Sequence, residues 1–298
     1  MDLQQLRYMT ALSQELNFVR AAKKSHVTQP TLSQQIKKLE DELGARLFER
    51  SSKQVRLTAA GEKFLPAAVA VLSALEKGIQ DLRDDSGEIL GEIRVSAIPT
   101  LGPYVLPEII TQLRCKAPKL KLQIYEETTS VLIDSLKSGK TDLGILALPV
   151  DGEGIASKVT VREAFYLAVS KKHALAGRAD VSAKDLRGED LLILQEGHCF
   201  GAQALEFCKR QRTDERVVFQ GSSLTSVLQL AAAGEGITLV PDLVRTSAVP
   251  AGLKFLPFKK PTPSRELGLV WRMTAPLTRA HRCVMETAEE VLLSKIPR

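Results

Sequence analysis

Cysteine and histidine are scarce in this chain, four of each in 298 residues. Four cysteines do not make the disulfide framework of a small secreted domain, so a disulfide here is expected to be transient rather than structural. The cysteines and histidines show no metal-ligand spacing, so no metal is expected, and no cofactor motif stands out. No run approaches the roughly 18 consecutive apolar residues that cross a bilayer, which argues against a membrane partner. The opening Met1-Asp2-Leu3-Gln4-Gln5-Leu6-Arg7 has no signal-peptide pattern, and a cytoplasmic location is the expected default. No repeat or low-complexity segment interrupts the sequence. What remains is a chain long enough for two or three domains, with 44% hydrophobic residues to fill their cores and a net charge of +6.

Acidic residues are also missing from one conspicuous face. Phe18, Ala21 and Ala22 recur at i, i+3, i+4 and predict a helix over 18–24. Ser25-His26-Val27 suits a turn, Thr28 an N-cap and Pro30 a first helical turn. The next helix sends Leu32, Ile36 and Leu39 inward, leaving Gln29, Thr31, Ser33, Gln34 and Lys37 outward, with no Glu before Glu40. Amides and hydroxyls reach base edges and lysine neutralises phosphate, so this face suits the major groove of double-stranded DNA. Residues 46–57 predict a short hairpin carrying Arg50, Lys53 and Arg56, a basic wing for backbone contacts. Residues 1–58 hold ten Lys or Arg against six Asp or Glu, a balance of +4, so most of the excess charge sits in this segment.

Thr58 caps a further predicted helix running to about Asp85. Phe64, Ala68, Val71, Leu75, Gly78 and Leu82 follow a heptad-like spacing, and about 28 residues span about 42 Å. A helix of that length has more seam than one small domain covers. Pairing with a second copy is the economical explanation, placing two recognition helices on two half-sites. Asp84-Asp85-Ser86-Gly87 ends it. From residue 89 strands and helices alternate: strands at 89–98, 120–125, 143–146, 165–169, 191–194, 217–219, 237–240 and 267–271, helices at 104–115, 130–138, 202–210, 224–233 and 280–293. Such alternation predicts an α/β unit with parallel sheet.

The run Leu6…Phe18…Ala21-Ala22…Thr28-Gln29-Pro30-Thr31-Leu32-Ser33…Ile36…Leu39-Glu40…Leu43-Gly44…Leu47-Phe48…Arg50…Leu57-Thr58…Gly61 resembles the LysR-type transcriptional regulators. The resemblance implies an α/β fold of three parts. These are an N-terminal winged helix-turn-helix DNA-binding domain (1–58), a linker and dimerisation helix (59–88), and a two-lobed regulatory domain (89–298) similar to periplasmic solute-binding proteins. Lobe I takes 89–162 and 268–298, lobe II 163–267, with crossovers near 162 and 267. It also implies further assembly into a tetramer, and RNA polymerase as a partner at the promoter.

Gly197-His198-Cys199-Phe200-Gly201-Ala202-Gln203 with Cys208, together with Thr100-Leu101-Gly102-Pro103-Tyr104, is similar to the peroxide-sensing branch of that family. This resemblance implies that hydrogen peroxide oxidises Cys199 and that Cys208 resolves it as a reversible disulfide. Thr100, Leu101, Gly102, Thr129 and His198 are then the effector-binding positions, Arg265 stabilises the thiolate, and glutaredoxin or thioredoxin is the reductant. If the predicted helix covers most of the interval, the two Cα atoms lie about 10–13 Å apart, beyond the roughly 7 Å that a disulfide spans. Closing the bond must then melt local structure, which makes it a switch. Gly201-Ala202 departs from the Arg-Asp common in that branch and removes a possible proton carrier near Cys199. Taken singly, Thr100 and Thr129 read as helix caps, Arg265 as a surface arginine on an edge strand, and Cys115 and Cys283 as filler, with Arg282 able to raise the reactivity of Cys283 a little. Two other functions remain open: a regulator of a small organic-acid co-inducer, with Thr100 at the anion site and the cysteines structural, and a thiol peroxidase, an enzyme with no use for residues 1–58.

The helix-face assignment has a direct test in anisotropy titrations against specific and scrambled DNA. Lys37→Ala should weaken binding to all sequences and lower the salt slope by about 1. Gln34→Ala should erode discrimination at one base pair by about 1–3 kcal/mol.

Overall fold

Leu32, Ile36 and Leu39, fully buried in the computed structural model, are the inward stripe of helix α3 (Gln29–Leu43). The structure describes residues 1–50, 55–83, 88–194, 216–247 and 249–296. The predicted helix 202–210, the 84–87 hinge, Lys53, His198, Cys199 and Cys208 lie outside the described residues.

Two helices precede α3. Helix α1 (Leu3–Glu15) was not anticipated, although its start is written as a capping box. Gln5 N–H donates to Asp2 Oδ1 at 2.8 Å, and Asp2 N–H to Gln5 Oε1 at 2.9 Å. Its Leu6, Met9 and Leu12 join Ala21 and Ala22 of α2 (Phe18–Lys24) and the α3 stripe in one core. Thr28 caps α3, accepting from Thr31 N–H at 3.4 Å, and Gly44 at φ +65° closes it in the left-handed region that glycine tolerates. Strands β1 (Phe48–Arg50) and β2 (Val55–Leu57) form the antiparallel wing. Its base is tied to α3: Glu40 Oε1 accepts from the N–H groups of Leu47 and Phe48, at 2.8 and 3.1 Å.

Helix α4 (Ala59–Arg83) starts where Thr58 Oγ1 accepts from Gly61 N–H at 3.0 Å. Its first turns are part of the head, with Leu65, Ala68 and Val69 buried in the α1–α3 core and Phe64 and Leu72 packed against it. Two of the six seam positions, Phe64 and Ala68, are thus covered within the chain. Val71 and Ile79 remain large exposed apolar side chains.

Beyond α4 a seven-stranded sheet has the order β10-β6-β11-β5-β3-β4, with β9 also beside β6. Strands β3 (Glu92–Ala97), β4 (Lys121–Glu126) and β5 (Leu143–Leu148) are parallel, joined by helices α5 (Gly102–Lys116) and α6 (Thr129–Lys137). Strand β6 (Ile155–Ser170) is far longer than the predicted 165–169 segment. Its first half is largely exposed, so apolar periodicity marks only the buried second half. That second half pairs with β9 (Thr238–Pro241) and β10 (Leu253–Pro257), the latter unpredicted. Strands β7 (Asp190–Leu194) and β8 (Arg216–Gly221) form a separate parallel pair. Helices α7 (Leu224–Ala233) and α8 (Asp242–Arg245) follow β8 and β9. Strand β11 (Ser264–Arg272) returns between β6 and β5, antiparallel to both, and α9 (Arg279–Lys295) packs back on α5. One apolar core gathers residues 93–161 with 267–296 and Leu243, and another lies within 165–258. Strands β6 and β11 are the two chain segments running between them.

The β11 ladder to β6 shifts register between Leu267 and Gly268. A Cβ on Gly268 would lie 2.1 Å from the Lys158 carbonyl oxygen and 2.7 Å from Leu148 Cδ1. Gly268→Ala should therefore cost about 1–3 kcal/mol, seen as a lower urea midpoint at unchanged m-value.

Candidate nucleic-acid interface and interlobe site

Thr28, Gln29, Pro30, Thr31, Gln34 and Lys37 are all exposed along the N-terminal half of α3, with Ser33 half-buried beside them. Arg56 is exposed on β2, and Arg50 ends β1. Lys23 and Lys24 close α2 next to this face. The turn between α2 and α3 is held by His26 at φ +54° and by Val27 N–H donating to the Ala22 carbonyl at 3.0 Å. Burying the stripe at 32, 36 and 39 forces the polar side chains of α3 outward together. The result is a helix N-terminus with amides, hydroxyls and lysine on a free face and a basic strand pair beside it, which can track phosphates while reading base edges.

The second site lies where the two cores meet. Arg265 on β11 stands directly across the ladder from Glu163 on β6. Both side chains are wholly buried, and Arg265 donates through Nε and Nη2 to Glu163 Oε2, each at 2.7 Å. Arg265 Nη1 donates to Thr100 Oγ1 at 2.9 Å, and Glu163 Oε1 accepts from Leu243 N–H at 2.8 Å. Thr100 sits in the β3–α5 connection, and Leu243 belongs to α8, which follows β9. Tyr104 on α5 packs against both cores and is hydrogen-bonded to Ser247. Burial raises its phenol pKa above the usual value, with Glu163 adding to the effect.

These positions correct the expectations for single residues. Arg265 is a buried residue of a central strand, not a surface residue of an edge. Thr100 caps no helix: Leu101 is the N-cap of α5 and gives no side-chain cap, while Thr100 serves Arg265. Thr129 is not a cap either, since Thr128 holds that place on α6. Thr129 Oγ1 is buried and, among the described residues, has no hydrogen-bond partner. Leu101 is buried and Gly102 opens α5, where an added Cβ would come within 2.8 Å of Glu126 Oε2. Burial pushes the Cys283 thiol up, and Cys115 is exposed. Among the described residues no cluster of three metal-ligating side chains occurs, and no helix is long and apolar enough to cross a membrane.

A bacterial regulatory helix-turn-helix model of the lysR family matches residues 3–62, and the LysR substrate binding domain matches residues 86–293. The chain belongs to the LysR family. It is thus a DNA-binding transcriptional regulator. Among LysR-family relatives, the hydrogen peroxide-inducible genes activator of Dickeya chrysanthemi is 39% identical over 292 residues, 97% of this chain and 95% of that protein. The DNA-binding transcriptional dual regulator OxyR of Escherichia coli K12 is 41% identical over 292 residues, covering 96% and 94%. A full-length OxyR variant from Pseudomonas aeruginosa superposes with a TM-score of 0.84 at 37% identity, covering 97% of this chain and 94% of that one. The oxidised OxyR of Corynebacterium glutamicum gives 0.59 at 30% identity, covering 99% and 93%.

Glu163 is the interlobe residue that sequence reasoning missed. Its signal was an acid within a strand whose later residues are continuously apolar, the arrangement a buried partner for an arginine requires. Glu163→Ala leaves the Arg265 charge buried without its carboxylate and should destabilise the regulatory lobes by about 3–5 kcal/mol, measured by denaturant unfolding of the full chain.

Proposed function

We propose that this chain is a peroxide-responsive transcriptional regulator controlling oxidative-stress genes, switched by a reversible disulfide between Cys199 and Cys208. What carries the reading is the 39–41% identity along 292 residues to proteins named as hydrogen peroxide-inducible genes activators or OxyR. The interlobe geometry supports it. Arg265 is a permanent cation held by Glu163 and aimed at Thr100, and Thr129 keeps a buried hydroxyl for a small polar effector. With His198, Leu101 and Gly102 these make the proposed peroxide site.

In the reaction the Cys199 thiolate attacks one peroxide oxygen. An S–O bond forms as the O–O bond breaks, and hydroxide leaves to become water. The Cys208 thiol then displaces the sulfenic oxygen as a second water, leaving the disulfide. Two electrons from a dithiol donor, glutaredoxin or thioredoxin, return both sulfurs to thiols. The chemistry is stoichiometric switching rather than turnover, so the chain acts as a regulator and not as a peroxidase. In this reading residues 1–58 are the DNA-binding domain, 59–88 the linker and 89–298 the regulatory domain, with lobe I at 89–162 and 268–298 and lobe II at 163–267. The exposed Val71 and Ile79 on α4 favour a dimer through that helix, two dimers make the tetramer, RNA polymerase is the partner at the promoter, and the cytoplasm is the site of action.

A non-reducing peptide map before and after micromolar peroxide tests the switch. Two of the four thiols should disappear into a Cys199–Cys208 bridge, and Cys199→Ser should prevent it. Survival of all four thiols would overturn the reading in favour of a carboxylate co-inducer, which a thermal-shift screen then detects.

A further inference from the structure

Among the described residues, the DNA-binding head touches the regulatory half at the turn after α6. Gln14 on α1 donates through Nε2 to the Ser138 carbonyl at 3.2 Å. Next to it, a Cβ on Gly139 would stand 3.0 Å from Cγ1 of Val69 on α4, so the close approach needs glycine there, as does its φ of +69°. About two turns further along α4, Glu76 lies within electrostatic reach of Arg94, Asp142, Arg7 and Arg272. Burial is the largest influence and raises its carboxyl pKa, with the three arginines opposing it.

The turn is a rigid platform from beneath. Arg272 Nη1 donates to the Leu136 and Thr141 carbonyls, each at 2.7 Å. Arg94 holds Asp142 through Nε and Nη2, both at 3.0 Å. Burial opposes charge on Asp142, but Arg94 and Arg272 overcome it and keep the carboxyl below its ordinary pKa. The N–H groups of Lys140 and Thr141 both donate to the Ser135 carbonyl, at 2.8 and 3.0 Å.

The same platform ends the helix that begins at the proposed peroxide site. Helix α6 starts at Thr129 and stops at Lys137, a rod of about 13 Å. Glu127 precedes α6 by two residues, and its side chain reaches the far end of the helix. Its Oε1 accepts from Ser135 Oγ at 3.0 Å and pairs with Lys140 Nζ at 3.2 Å. We infer that the Ser138–Asp142 turn, with Arg94, is a seat for the chain's own DNA-binding head, that Gln14, Val69 and Glu76 are the positioning residues seated on it, and that α6 carries the state of its Thr129 end to the seat. Only the last step rests on the peroxide reading. The seat itself rests on the contacts above.

A rigid seat fixes the angle of the head against the lobes, and in a dimer that angle sets the spacing of half-sites two heads can grip. Glu76→Lys reverses one charge at a solvent-reached position, and Gly139→Val drives a side chain into Val69. Four readings on the full-length chain separate the roles. They are the maximum dimension by small-angle scattering at matched oligomeric state, the footprint on DNA with two half-sites, affinity for a single half-site, and the rate of thiol loss with peroxide. Both variants should enlarge the particle and alter footprint spacing, with single-half-site affinity and thiol loss within about twofold of wild type. Glu76→Asp should behave as wild type, which a merely structural lesion would not predict. Unchanged dimension and footprint in Glu76→Lys overturn the seat. Wild type with identical dimension and footprint before and after disulfide formation overturns the α6 step. Failure of every variant and wild type to lose thiols would sink the peroxide reading while leaving the seat's own readings in force.

Discussion

The Glu163–Arg265 pair is the interaction on which the regulatory half depends. Two full charges without solvent exposure are costly, and apolar residues of similar volume commonly fill such a space as well or better. Here the cost is offset by charge-assisted hydrogen bonds from distant parts of the chain, the Thr100 hydroxyl and the Leu243 amide. Because the two residues face each other on the only described strands joining the cores, the pair fixes how those cores meet. It also leaves a cation permanently placed at that junction. A stability requirement alone does not call for an arginine there.

The α2–α3 unit of the head was legible almost to the residue because its signals are local. The α2 boundaries, the Thr28 cap and the inward 32, 36, 39 stripe follow from spacing and capping chemistry within one short stretch. Helix α1 was overlooked although Asp2 and Gln5 spell out its start. Its apolar positions are interleaved with the buried Gln5 and Ser13, which blur the period. In the regulatory half, the parallel strands with continuous apolar runs were readable, and the first half of β6 was not, since it is exposed and held by ladder bonds to β11. Thr100 and Arg265 were reached through resemblance, not through chemistry visible in the sequence. Their contact joins positions 165 residues apart, and no spacing rule spans that. Glu163's one signal, an acid just ahead of a continuously apolar strand, was passed over because its partner Arg265 lies 102 residues away.

The linker helix belongs to two bodies at once. Its first turns are core of the head, its Val69 meets the Gly139 turn, and its Val71 and Ile79 stay open to water. A helix shared in this way cannot rotate for one neighbour without displacing another, so events at the lobes and at the head are mechanically coupled whatever the effector is. The braced turn after α6 supplies the stiff side of that coupling, since packed and hydrogen-bonded turns shift as units rather than bend.

The tie between Glu40 and the base of the wing has a consequence for how such regulators diversify. The exposed polar residues of α3 lie at 28–37, and the carboxylate anchoring the Leu47 and Phe48 amides lies just beyond them. That exposed face can therefore be exchanged as a cassette, by evolution or by an engineer, while the wing keeps its place and the scaffold need not be rebuilt.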